Sequence, residues 1–268
     1  MKLFFSMRAL LLTIAYKIGT FSCLNDTSIS ILCYHSFSNK NDRYSIPVSF
    51  VKKQLAKIGH QQRFISLDNA VSMLYSRNVY KNAVVFTVDD GYKDVLSILP
   101  FTKKYHIPVA IFVLSDPYHA DRKELDHNGK LLTTKELKFL LSQGWTIGCH
   151  SATHANFKTL DPEQMQKEIL SAKQQLEKRL GVTVHYFAYP KGTYNKSIQT
   201  YVKRAGYRAA FSIEPGGITI KTPRFSMPRV TVDKTHQLRE FPALYHDSTF
   251  FLRKITNPLR LWNLLLRV

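Results

Sequence analysis

Six apolar, β-rich runs of six to eight residues recur along the chain: Ser28–His35 (SISILCYH), Ala83–Asp89 (AVVFTVD), Val109–Leu114 (VAIFVL), Trp145–His150 (WTIGCH), Val184–Pro190 (VHYFAYP) and Arg208–Ile213 (RAAFSI). They are continuous rather than alternating, which is the pattern of strands covered on both faces of a parallel sheet. Helical patterns lie between them. In DPEQMQKEILSAKQQLEKRLG, Asp161 caps, Pro162 takes the first helical position, Gln164 completes a capping box and Gly181 ends the helix. Met165, Ile169, Ala172, Leu176 and Leu180 give it one apolar face. Thr133 and Glu136 form a second capping box, with Gly144 as the stop, and a third helix is predicted over Asp94–Tyr105.

Strand and helix alternating at this spacing predict an α/β domain with a mostly parallel sheet, open or closed into a barrel. Ligands of such folds collect at the carboxyl ends of the strands. Asp89, Asp90, His35, His150 and the pair Tyr189-Pro190 all fall there.

At 268 residues and 44% hydrophobic, the chain is long enough for one large domain, and its length also allows two. With 38 Lys+Arg against 19 Asp+Glu, the net charge of +19 favours an anionic partner such as a phospholipid surface or an acidic envelope polymer. No nucleic-acid motif or dense basic block is present, so no nucleic acid is expected. Residues 1–23 carry Lys2 and Arg8 ahead of an apolar run and small residues before Cys23, the pattern of an export signal or an N-terminal anchor. The expected location is therefore periplasm, cell envelope or exterior, with contact to an anionic membrane. Residues 241–268 form a basic, amphipathic tail around Trp262, suited to packing on the domain or lying on a membrane surface. The three cysteines, Cys23, Cys33 and Cys149, are too few for a disulfide scaffold, and each reads as a small buried hydrophobe.

The chemistry concentrates in two short stretches. FTVDDGYKD ends an apolar strand on two adjacent acids and then Gly91. Side chains alternate along a strand, so the two carboxylates serve one site only if the chain turns sharply there. HSATH places His150 and His154 at i, i+4, which on a helical turn puts both imidazoles on one side. With a carboxylate they complete a His₂-carboxylate set, which leaves open positions for water and substrate. Asp90 would then ligate while Asp89 faces the water as general base.

FTVDDGY, HSATH and FAYPKG, in this order, resemble the polysaccharide deacetylase (NodB-homology, carbohydrate esterase 4) family over about Ser28–Val232. The resemblance implies a deacetylase domain over residues 28–240, a distorted (β/α) barrel, and metal-dependent removal of N-acetyl groups from sugars. It implies Asp89 as the base, Asp90, His150 and His154 as ligands of a divalent metal, Zn²⁺ first, and the Tyr92 N–H as oxyanion donor. FAYP is similar to the subgroup acting on poly-β-1,6-N-acetylglucosamine, which implies an N-acetylated polysaccharide as substrate. A lipid-linked or lipopolysaccharide amino sugar, acetylated or formylated, and an inactive sugar-binding protein are the rival expectations.

Three departures from the family pattern stand out. Ala188 takes the place of the third motif's arginine, among Tyr189, Pro190, Lys191 and Gly192; Lys191 and Arg229 are the cations available to replace it. The general acid, usually a late histidine, is expected to be His35 at the end of the first strand rather than His246 in LYH. The usual late Asp-Trp motif is not apparent; FSMPRVTVD occupies the corresponding region and resembles the Pro-Arg-Val strand of the exopolysaccharide group, which implies that Arg229 lies near the site.

Overall fold

The computed structural model describes residues 10–11, 13–17, 29–60, 62–73, 75–76, 83–120, 129–246 and 249. All six expected strands form, as β1 (Ile29–Tyr34), β3 (Ala83–Val88), β4 (Val109–Val113), β5 (Thr146–Cys149), β6 (Tyr186–Ala188) and β7 (Ala209–Phe211). Three two-residue strands join them: β2 (Arg63–Phe64), β8 (Gly217–Ile218) and β9 (Val230–Thr231). The order β7-β6-β5-β4-β3-β1 is parallel throughout; β8 alone runs antiparallel, on the first half of β1.

The sheet curls until one short segment joins its two edges. Met227 bridges Phe211 of β7, while three residues on Val230 and Thr231 pair with Leu32 and Cys33 of β1. A distorted barrel results, and Arg229 lies in the segment that closes it.

Strand parity divides the core in two. Ile29, Ile31, Val85, Phe112, Tyr186 and Phe211 share an inner cluster, which helix Leu67–Ser72 extends with Leu67, Ala70 and Val71. The alternate residues Leu32, Phe86, Val88, Ile111, Ile147 and Phe187 pack outward against helices, for instance on Val51 and Leu55 of Val48–Gly59 and Leu137 and Leu140 of Thr134–Ser142. Continuing the inner parity past the strand ends reaches Asp89 after β3, His35 after β1 and His150 after β5. The barrel thus aims three chemical side chains at one mouth.

Both expected capping boxes are present, Thr133 with Glu136 and Asp161 with Gln164, and Gly181 ends its helix in the left-handed conformation at φ 75°. Two helices differ from expectation. The Asp161 helix runs as α over Pro162–Gln166, widens to a π turn over Lys167–Ser171 and resumes as α over Ala172–Leu180. The segment after Asp94 starts as a 3₁₀ helix, Lys93–Ile98, and becomes α only at Leu99–Lys104, where Pro100 sits in the first turn.

Cys33 and Cys149 are buried and free; Cys23 lies outside the described residues. Most of the expected signal (1–23) and of the basic tail (241–268) also lies outside them. Among the described residues no helix is long and apolar enough to cross a membrane.

Candidate active site

Asp89 keeps the inward parity of β3, so its neighbour would ordinarily face outward. It does not, because the backbone reverses at Asp90 itself, with φ 70°, and again at Gly91, with φ 76°. The turn expected of Gly91 is therefore a two-residue one, begun by a residue type that tolerates the left-handed region better than most. A side chain at Gly91 would also be crowded, since a Cβ there would stand 3.1 Å from Val113 Cγ1.

The HSATH stretch does not form the helical turn that its spacing suggested. Ser151 and His154 both have left-handed backbone, φ 74° and 62°, and the His154 N–H donates to Ser151 Oγ at 3.0 Å. The irregular loop still brings the imidazoles together, with ring centroids 5.0 Å apart. His150 is fixed twice: its N–H donates to the Val113 carbonyl at 2.8 Å, and Nδ1 lies 2.8 Å from the Ala188 carbonyl. That second contact requires the proton on Nδ1 and leaves Nε2 as the ligating lone pair. Ala188, where the family pattern has an arginine, thus supports the site through its backbone.

His150 Nε2 and His154 Nε2 stand 3.4 and 3.8 Å from Asp90 Oδ1. Tetrahedral zinc with bonds of about 2.0–2.1 Å needs neighbouring ligand atoms about 3.3 Å apart, so the trio fits a divalent ion after small adjustments. Asp90 Oδ1 is buried with no hydrogen-bond partner, a costly arrangement that a cation relieves. Burial, and the neighbouring His150, push His154 down to about 4, so its imidazole is neutral and able to ligate near pH 7.

Behind the trio, Arg229 grips Asp89 with two parallel bonds, Nη1 to Oδ1 at 2.7 Å and Nη2 to Oδ2 at 2.6 Å. The guanidinium is fully buried, donates from Nε to the Ser212 carbonyl at 3.0 Å, and lies over the Phe112 ring. Burial works to raise the Asp89 carboxyl, but Arg229, His150 and His35 together outweigh it and hold the acid well below the usual carboxylate range. The Cys33 thiol, at 3.3 Å, donates to the same carboxylate.

His35, Tyr44, Asp89, Asp90, His150, His154, Tyr189, Lys191, Ile213 and Thr231 line one cavity of about 210 Å³. His35 Nδ1 is buried without a hydrogen-bond partner, and its ring sits 4.6 Å from that of Tyr44. Other expected site residues fall elsewhere. His246 packs edge-on against Tyr16, outside this lining. Pro190 is buried at the start of a short 3₁₀ turn. The Tyr92 ring packs on Leu114; its backbone pairs with Leu131 through bonds made by Gly91 and Lys93, so the Tyr92 N–H is turned away from that ladder. Arg229 is near the site as expected, yet it touches Asp89 rather than the cavity. Sequence reasoning missed Tyr44, which sits in an irregular loop with no periodic signal.

A family model described as polysaccharide deacetylase matches residues 76–210, half of the chain. The chain belongs to that family. Among its relatives, the poly-beta-1,6-N-acetyl-D-glucosamine N-deacetylase of Staphylococcus aureus (strain MRSA252) is 22% identical over 214 residues, which cover 76% of this chain and 73% of that one. Two solved structures share the fold. The Streptococcus pyogenes deacetylase PplD superposes with TM-score 0.71 at 21% identity, covering 82% of this chain and 98% of its own. IcaB from Ammonifex degensii gives 0.68 at 22% identity, with the same coverages, 82% and 98%. His35 and Arg229 both lie outside the matched span, one on each side.

Proposed function

We propose that this chain is a metal-dependent N-deacetylase of N-acetylglucosamine-containing polysaccharide, releasing acetate and leaving a free amino sugar. What carries it is the pairing of a metal-ligand trio, Asp90, His150 and His154, with a separate carboxylate, Asp89, that Arg229 keeps ionised beside it. A divalent cation held by that trio supplies Lewis-acid polarisation of the acetamide carbonyl and acidifies a water.

The protein's own groups do the rest. Asp89, ionised and oriented by Arg229, takes a proton from the attacking water. His35, across the same cavity, gives a proton to the departing amine. The Tyr92 N–H, at the mouth of the 3₁₀ turn, is assigned to the developing oxyanion. Tyr44, Tyr189 and Lys191 give the cavity aromatic and cationic walls suited to a sugar, and its small volume suits an acetyl group.

The S. aureus relatives named for a β-1,6-linked polymer make that linkage the first to test. Export to the cell envelope, with the basic surface of this chain facing anionic material, completes the proposal. The test is acetate release from β-1,4 and β-1,6 N-acetylglucosamine oligomers, with and without Zn²⁺, using His150→Ala as control. Metal-dependent acetate that the substitution abolishes is the expected result. Metal bound with no acetate from either oligomer would overturn the substrate, and no metal bound would overturn the chemistry.

A further inference from the structure

The loop between the two histidine ligands holds an unfavourable backbone, with left-handed Ser151 and His154 at its two ends. Its polar backbone groups are taken up from two sides. The Ser115 and Asp116 amides donate to the Ser151 and Ala152 carbonyls at 3.1 and 2.9 Å. From the other side comes a single buried carboxylate, Glu168. Its Oε2 accepts the Ala152 and Thr153 N–H groups, both at 3.0 Å, and its Oε1 accepts the Thr153 hydroxyl at 2.6 Å.

Glu168 belongs to the π turn Lys167–Ser171, which interrupts an otherwise regular helix. It lies three residues after Met165 and four before Ala172, on the stripe that the helix turns toward the core, and is only 7% exposed. An acid on an apolar stripe is costly unless its oxygens are fully used, and here three donors use them. Wide turns of this kind recur where a helix serves a site.

We propose that Glu168 is a positioning residue for the metal centre: by accepting all three donors of the Ala152–Thr153 turn it fixes the path between His150 and His154, and thereby their convergence on Asp90. The proposal rests on the trio binding a divalent metal. It assigns a role to hydrogen-bond acceptance rather than to charge. A glutamine can keep all three pairings without the charge, its carbonyl accepting the two N–H groups as the carboxylate does and its amide donating to the Thr153 oxygen, with the direction of that third bond reversed.

The test measures Co²⁺ and Zn²⁺ affinity, and the visible spectrum of the Co²⁺ protein, for wild type, Glu168→Gln, Glu168→Ala and Thr153→Val, with thermal unfolding of each metal-free protein alongside. Glu168→Ala is expected to bind about 10–100-fold more weakly, as loss of a group that orients a ligand does, with an altered Co²⁺ spectrum. Glu168→Gln should stay close to wild type, and Thr153→Val should fall between. Should Glu168→Ala fail to fold, the glutamine and valine variants carry the comparison. A lowered melting temperature with unchanged affinity and spectrum would reduce Glu168 to a structural residue. Glu168→Gln binding well below Thr153→Val would show that charge matters instead. A wild-type protein that binds neither ion would overturn the metal centre itself, and this proposal with it.

Discussion

Arg229 and Asp89, 140 residues apart in sequence, form a fully buried two-point ion pair inside the barrel. Removing one member leaves the other's charge buried without its counterion. Arg229→Met should therefore destabilise the fold by about 3–5 kcal/mol, and Asp89→Asn combined with Arg229→Met should recover part of that loss. Chemical denaturation of the two single variants and the double variant gives the coupling. Strict additivity would mean that the pair contributes nothing.

The same pair has a pH signature. A carboxyl held below its unfolded value of about 3.9 contributes stability above that pH and loses it as the pH falls through the folded value. Asp89 is such a group. The stability gap between wild type and Arg229→Met should thus be widest near neutral pH and narrow below about pH 4. Unfolding curves showing a gap that widens on acidification would contradict the assignment.

Asp89→Asn separates base from ligand. It should keep metal affinity close to wild type, because the ligating carboxylate is Asp90, and lower turnover by about 10²–10⁴-fold. Undiminished turnover would refute the role of the base.

His35 as proton donor predicts a dependence on leaving group. His35→Gln should slow amide cleavage by about 10²–10⁴-fold, yet slow an aryl acetate, whose leaving group needs no proton, by less than about tenfold. His246→Gln should change neither, since His246 packs on Tyr16 away from the cavity. Equal losses on both substrates for His35→Gln would sink the assignment.

Gly148, two residues before His150, tests the inner packing. A Cβ there would meet the Phe112 ring at 2.4 Å and the Tyr186 carbonyl at 3.2 Å. Gly148→Ala should cost about 1–3 kcal/mol by overpacking, read from thermal or chemical unfolding; a neutral result would show that the Phe112 ring can move aside.

The six long strands and both capping boxes were legible because each has a local signature: a continuous apolar run, or a cap with its partner three residues on. The ends of those runs also pointed to Asp89, His35 and His150. Strand β9 has only two residues and no period to detect, so neither the closure of the barrel nor the grip of Arg229 on Asp89 was legible; the sequence pointed only to Arg229 lying near the site. The HSATH spacing suggested a helix because i, i+4 does not distinguish a helical turn from a loop bent twice through left-handed residues. Glu168 had a readable trace, an acid three residues after Met165 and four before Ala172 on an apolar stripe, but nothing in the local sequence announces the π turn or the loop amides that the carboxylate accepts.

Barrel closure by the segment around Arg229 has a consequence for how the chain matures. The two acids, both histidine ligands and the first strand are all made before residue 200, yet the countercharge for Asp89 arrives with the strand that shuts the barrel. A nascent chain that has emerged only as far as β7 would have to bury a lone carboxylate at the centre of its sheet, or leave that centre open to water. Synthesis from the amino end therefore makes the site's assembly one of the last events in folding, and a truncated product ending before Arg229 is expected to be both unstable and inactive.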